Sequence, residues 1–168
     1  MNKQQHRLYL LLGTNLGNKI NNLNNAIKLL QNQMGKLICK SHIYETEPWQ
    51  IDDQDPFYNQ AILLETSLNP EECLRVAEQI EQNMGRTDKS KNKAREIDID
   101  VLLYDQIQFK NSVLEIPHPR LHLRNFCLIP LMEIAGEEIH PVLNKSIEEL
   151  YDLCEDQNEV ILLDEDAI

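Results

Sequence analysis

Asp98 and Asp100 stand two residues apart inside an apolar run, Ile97-Asp98-Ile99-Asp100-Val101. Just before them lies Arg86–Arg95, where five cations (Arg86, Lys89, Lys91, Lys93 and Arg95) occupy ten positions. Strand spacing directs both carboxylates to one face, with about 6–7 Å between their Cα atoms, and Ile97, Ile99 and Val101 to the other. Carboxylates that close repel unless a cation lies between them. Mg²⁺ typically takes one or two protein carboxylates and completes its shell with phosphate oxygens and water. The competing reading is an edge strand with a solvated acidic face. The adjoining basic segment favours metal and polyphosphate together, because phosphate needs both partners. Arg86 and Arg95 flank the segment and offer a fixed fork that lysine lacks. Its polar composition also predicts mobility, which suits a lid closing over a nucleotide.

Pro117-His118-Pro119-Arg120-Leu121-His122-Leu123-Arg124-Asn125-Phe126 is a second dense cluster. His118 and His122 have a zinc-like spacing, but Pro119 disfavours a helix through them and no third ligand is near. A histidine between two prolines instead presents a donor from a rigid extended turn. Aromatic residues flank an amide in Tyr44–Trp49 and Phe57-Tyr58-Asn59-Gln60, as a flat heterocycle stacked and read at its edge requires. Aromatics closing a loop over the core explain the same residues equally well. Gly13-x-Asn15-x-Gly17 lacks the remaining residues of a nucleotide loop and is read as a strand-to-helix turn.

These groups need a scaffold, and 168 residues can bury a core for one domain, residues 1–168. The net charge is −12 although Arg86–Arg95 is locally positive. Such a surface repels nucleic acid and anionic membranes, whereas a positive island suits a small anion. We therefore expect no nucleic-acid or membrane partner, and a cytoplasmic monomer, with a dimer as the alternative. Cys39, Cys73, Cys127 and Cys154 form no CxxC and read as small apolar residues in a reducing compartment.

Periodicity predicts strands over Arg7–Leu12, Leu37–Tyr44, Phe57–Thr66, Glu96–Tyr104 and Glu159–Leu163, with a hairpin partner for the fourth near Gln106–Phe109. Helices are expected from Ile20 to Met34, from Pro70 to Gly85, over Leu121–Ala135 with a kink or interruption at Pro130, and after Ser146. This order predicts an α+β fold: a ferredoxin-like βαββαβ core with a mostly antiparallel sheet in an αβα layered arrangement.

Gly13-Thr14-Asn15-Leu16-Gly17, Tyr44-x-Thr46-x-Pro48, Phe57-Tyr58-Asn59-Gln60-Ala61, Glu81-x3-Gly85-Arg86, Arg95-Glu96-Ile97-Asp98-Ile99-Asp100 and Pro117-His118-x5-Arg124-x-Phe126 follow one another in a single order. Together they resemble the 6-hydroxymethyl-7,8-dihydropterin pyrophosphokinase family over about Leu8 to Leu163. The resemblance implies transfer of pyrophosphate from ATP to the hydroxymethyl group of a reduced pterin, releasing AMP, in folate biosynthesis. It implies two Mg²⁺ ions on Asp98 and Asp100 and catalytic roles for Arg86 and Arg95. It further implies ATP contacts from Glu81, Arg86, Arg95, His118 and Arg124, and a pterin pocket of Thr46, Trp49, Phe57, Asn59 and Phe126. Departures from the family pattern are Phe57 for Tyr, Asp88 for a second arginine, Asn92-Lys93-Ala94 for Trp-Gly-Pro, and Pro119 for Tyr. The other function classes are a non-catalytic ligand-sensing module, or an Asp-x-Asp nucleotidyl- or glycosyltransferase.

Overall fold

Nine residues at the start of the chain alternate between two apolar environments, and both faces are covered. This first strand, β1 (His6–Thr14), buries Leu8, Leu10 and Leu12 on one side and Tyr9 and Leu11 on the other. The computed structural model describes residues 2–47, 55–85 and 96–164. After β1 come α1 (Lys19–Gln33), β2 (Gly35–Lys40), β3 (Tyr44–Thr46), β4 (Phe57–Thr66), α2 (Pro70–Asn83) and β5 (Asp98–Tyr104). The chain continues through β6 (Phe109–Lys110), β7 (Glu115–Ile116), a 3₁₀ turn (Leu121–Leu123), α3 (Asn125–Ala135), α4 (Ile147–Leu153) and β8 (Val160–Leu162).

The main sheet is antiparallel in every pairing, in the order β5-β1-β4-β3-β8, with β2 paired to β4 beyond β3. Residues of α1 and α2 (Leu23, Leu30, Cys73, Ala77, Ile80) join Leu8, Leu10, Leu12, Ile97, Ile99 and Val101 in one core. Residues of α3 and α4 (Cys127, Leu128, Leu131, Ile147, Leu150) cover Tyr9, Leu11, Ala61 and Leu63 on the opposite face. The result is the expected α+β sandwich with a ferredoxin-like core, extended by α3, α4 and β8.

Local chemistry explains the helix starts. Asn69 accepts from the Glu72 amide at 2.9 Å while Glu72 accepts from the Asn69 amide at 2.8 Å, and Pro70 stands at the first helical position. Ser146 and Glu149 repeat the device at α4. Gly85 ends α2 with φ of 102°.

Three elements depart from the sequence prediction. The strand expected over Leu37–Tyr44 is broken at Ser41, whose amide donates to Ala61 O (2.8 Å) and whose Oγ accepts from the Ala61 amide (2.9 Å). No hairpin partner for β5 forms near Gln106–Phe109. Asp105, at φ 47°, is tied back to β1 through the amides of both residues and its carboxylate, so the chain leaves the sheet there. β6 pairs with β7 in a separate ribbon instead. The helix expected over Leu121–Ala135 breaks at Arg124, which is extended (φ −132°, ψ 115°), and is not interrupted at Pro130. Pro130 is the sixth residue of α3 and forfeits only the bond to the Phe126 carbonyl.

Candidate active site

Cross-strand register assembles the site. Gly13 of β1 pairs with Asp98 of β5 on one side and with Asn59 of β4 on the other, and Asn59 pairs in turn with Tyr44 of β3. Residues directly opposite one another point to the same face, so Asp98, Gly13, Asn59 and Tyr44 form one row. Asp100 and Leu11 lie in the next row, and Phe57 and Thr46 face each other on the far side of Asn59. All lie on the α3 side of the sheet. Strand spacing places the Asp98 and Asn59 backbones about 10 Å apart. Between them Gly13 contributes no side chain. A Cβ there would stand 3.0 Å from Asn59 Oδ1 and 3.8 Å from Phe57 Cδ1. The floor between the carboxylate and the amide is therefore bare of necessity.

On the amide side, Asn59 Nδ2 donates to Thr46 Oγ1 at 2.9 Å, with both residues buried. That bond uses one of the two N–H donors of the amide. The base of the neighbouring loop is pinned to the start of α1, since Lys19 Nζ donates to Pro56 O (3.0 Å) and lies 4.3 Å from the Tyr58 ring centroid.

On the carboxylate side, the chain from β7 returns beside β5, with the His118 amide donating to Leu102 O at 3.0 Å. His118 Nδ1 accepts from the Arg120 amide at 3.1 Å, which leaves the proton on Nε2. Burial, reinforced by Arg124 and Arg120 and opposed by Asp98, brings the His118 imidazole down to about 4. At neutral pH it is an uncharged N–H donor. Burial also lowers Arg124, against the pull of Asp100 and, more weakly, Asp98. Its guanidinium lies 5.4 Å from the centroid of Phe126, in the first turn of α3. Asp98, Asp100, His118 and Arg124 thus share one electrostatic neighbourhood.

The oxygen-only pair Asp98 and Asp100 fits Mg²⁺, which needs no further protein ligand when phosphate and water complete its shell. Among the described residues no group of three or more His, Cys, Asp or Glu side chains is arranged to hold a metal. Glu81 is buried on α2, the helix that packs on the opposite face of the sheet. The end of that helix abuts the approach to β5, because a Cβ on Gly85 would meet the Glu96 carboxylate at 3.0 Å. Trp49, Arg86 and Arg95 lie outside the described residues.

Sequence reasoning passed over Gly13 as a turn residue, because spacing along one strand says nothing about what crosses beside it. It also read Tyr44 only as one of the aromatic residues around an amide and assigned nothing to Glu133, whose carboxylate the Tyr44 hydroxyl meets at 2.9 Å.

A model of the 7,8-dihydro-6-hydroxymethylpterin-pyrophosphokinase (HPPK) family matches residues 9–136. The 2-amino-4-hydroxy-6-hydroxymethyldihydropteridine pyrophosphokinase of Porphyromonas gingivalis is 39% identical over 140 residues, covering 80% of this chain and 93% of that protein. Its Bacillus subtilis namesake is 40% identical over 130 residues, 77% and 78% of the two chains. The folic acid synthesis protein FOL1 of Dictyostelium discoideum is 42% identical over 137 residues, which are 82% of this chain and 21% of that longer one. Among solved structures, Plasmodium falciparum HPPK-DHPS A437G with SDX-DHP shares the fold at a TM-score of 0.77 and 21% identity, over 90% of this chain and 46% of that one.

Proposed function

The chain belongs to the 7,8-dihydro-6-hydroxymethylpterin-pyrophosphokinase family, and we propose that it acts as a single domain transferring pyrophosphate from ATP to the hydroxymethyl group of 6-hydroxymethyl-7,8-dihydropterin. The hydroxymethyl oxygen gives up its proton to solvent and bonds to the β-phosphorus as the bond from that phosphorus to the α,β-bridging oxygen breaks, and AMP leaves. The observation that carries this reading is the gathering of Asp98, Asp100, His118 and Arg124 on the sheet face that also presents Asn59, Thr46 and Phe57.

Each residue then has a task that its surroundings suit. Asp98 and Asp100 hold two Mg²⁺ ions, which when bound supply positive charge against the phosphates. Arg124 adds a partly desolvated fork. His118 donates from Nε2 without adding charge. Arg86 and Arg95 are assigned to the ATP phosphates, and Glu81, from the last turns of α2, to the same substrate. Asn59, its amide oriented by Thr46, reads the donor and acceptor edge of the pterin, Phe57 and Phe126 stack on its faces, and Trp49 is assigned to the same ligand. Little covalent chemistry is required of the protein beyond aligning alcohol and phosphorus and offsetting charge.

The test is incubation with ATP, Mg²⁺ and 6-hydroxymethyl-7,8-dihydropterin, with AMP followed by chromatography. AMP should appear only when the pterin is present. Asp98→Ala should lower turnover by about 100-fold or more, and near wild-type turnover would contradict the metal assignment. A sensing module would release no AMP.

A further inference from the structure

Glu133 lies on α3 two turns beyond Phe126, and its carboxylate collects three donors from the joint between β2 and β3. The His42 amide reaches Oε2 at 2.6 Å, His42 Nδ1 reaches Oε1 at 2.7 Å, and the Tyr44 hydroxyl reaches Oε1 at 2.9 Å. A carboxylate only accepts, so His42 carries its proton on Nδ1. Burial and the bond to Glu133 push Tyr44 up to about 12, which keeps the hydroxyl a donor.

Docking α3 on the sheet does not require these bonds. Cys127, Leu128, Leu131 and Ala135 already bury the apolar side of the helix. Apolar packing is non-directional, however, and leaves the helix free to slide along the sheet by small amounts. Three charge-assisted bonds on one carboxylate remove that freedom, since each has a narrow range of length and angle.

What they hold in place is specific. Tyr44 is the cross-strand neighbour of Asn59, and Thr46, two residues along the same short strand, accepts from the Asn59 amide. The first turn of α3 carries Phe126, with Arg124 immediately before it. Glu133 thus joins the strand behind the amide to the helix that presents the aromatic wall. We infer that Glu133 is a positioning residue, fixing α3 against β3 so that Phe126 and the Asn59–Thr46 pair stand at the separation a stacked heterocycle needs. This rests on the pterin-pocket reading above.

The experiment measures KM for both substrates and kcat in Glu133→Ala, Tyr44→Phe and Glu133→Gln enzymes, beside direct titration with 6-hydroxymethylpterin. Glu133→Ala should raise KM for the pterin and the dissociation constant of 6-hydroxymethylpterin about tenfold, with KM for ATP within about twofold of wild type. Tyr44→Phe should move the same two constants in the same direction by a smaller factor. Glu133→Gln, which keeps an acceptor oxygen, should recover most of the loss. Equal changes in both KM values, no change in either, or a glutamine variant as impaired as alanine would overturn the inference. Should Glu133→Ala fail to fold, Tyr44→Phe decides by the same criterion. A wild-type chain that binds 6-hydroxymethylpterin and releases no AMP would remove the functional reading itself, whereas an active wild type with an unmoved pterin KM in the variants removes only the role of Glu133.

Discussion

At Gly13 the absence of a side chain keeps the floor of the candidate site bare. Gly13→Ala should swing the Asn59 amide, because 3.0 Å between the new Cβ and Oδ1 is too short. The amide is the far end of a side chain that can move, so we expect a stability loss under about 1 kcal/mol. The larger effect should be a pterin affinity about tenfold weaker with nucleotide affinity unchanged, read by titration with each ligand. Asn59→Ala should show the same selectivity, and equal losses for both ligands would contradict the pocket. His118 makes a separate prediction in the absence of Mg²⁺ and nucleotide. Its folded-state value is lowered to about 4, below the ordinary 6.5, so the unfolded chain binds the proton first as pH falls. Stability from this group is complete above about pH 6.5 and declines toward pH 4, by roughly 3 kcal/mol in all. In urea titrations at pH 7 and pH 4.5, His118→Asn should lose less stability than wild type. Asp98, Asp100, Asn59 and His118 were legible in the sequence because their types announce chemistry. The places of Gly13 and Glu133 were not, because they depend on what the fold sets beside them.

Elements were legible where local signals suffice. The boundaries of β4 and the capped start of α2 coincide with the sequence reading because a short continuous apolar run and the Asn69–Glu72 pair are written locally. Misplaced elements each depend on a distant partner: Ser41 breaks its strand to pair with Ala61, and Asp105 turns the chain by bonding to Arg7. Gly35 adds a non-local demand to a local one. It follows the C-cap of α1, as the sequence reading has it, and it also opens β2, where a Cβ would run into the Glu65 carbonyl oxygen. That oxygen is backbone and cannot step aside. Gly35→Ala should therefore cost about 3 kcal/mol or more by forcing β2 away from β4, seen as a lower urea midpoint with unchanged slope. An unfolding free energy within about 0.5 kcal/mol of wild type would show that the strands can separate there freely.

Over the whole molecule, residues beyond the 9–136 family match brace both sides of the site. Arg124, which precedes α3, makes no capping bond with its own side chain. Asp156 supplies one instead, accepting from the Asn125 amide at 2.9 Å, while its carbonyl accepts from Asn125 Nδ2 at 2.7 Å. Asp156→Ala should cost about 1 kcal/mol, as loss of a helix cap does, and calorimetry would measure it. β8 meanwhile pairs with β3, Val160 against Thr46 and Leu162 against Tyr44, and the Leu163 amide donates to Ile43 O at 2.9 Å. No helix among the described residues is long and apolar enough to cross a membrane.

The opposite ends of β1 and β8 give the two directions of attachment unequal consequences. His6 pairs with Thr66, seven residues along β1 from Gly13, or about 23 Å away by strand rise. β8 runs along the outer flank of Tyr44–Thr46. An affinity tag or surface anchor joined ahead of His6 should leave both substrates undisturbed. The same anchor joined after Leu163 would pull on the strand behind Asn59, and its signature would be weaker pterin capture at unaltered nucleotide binding.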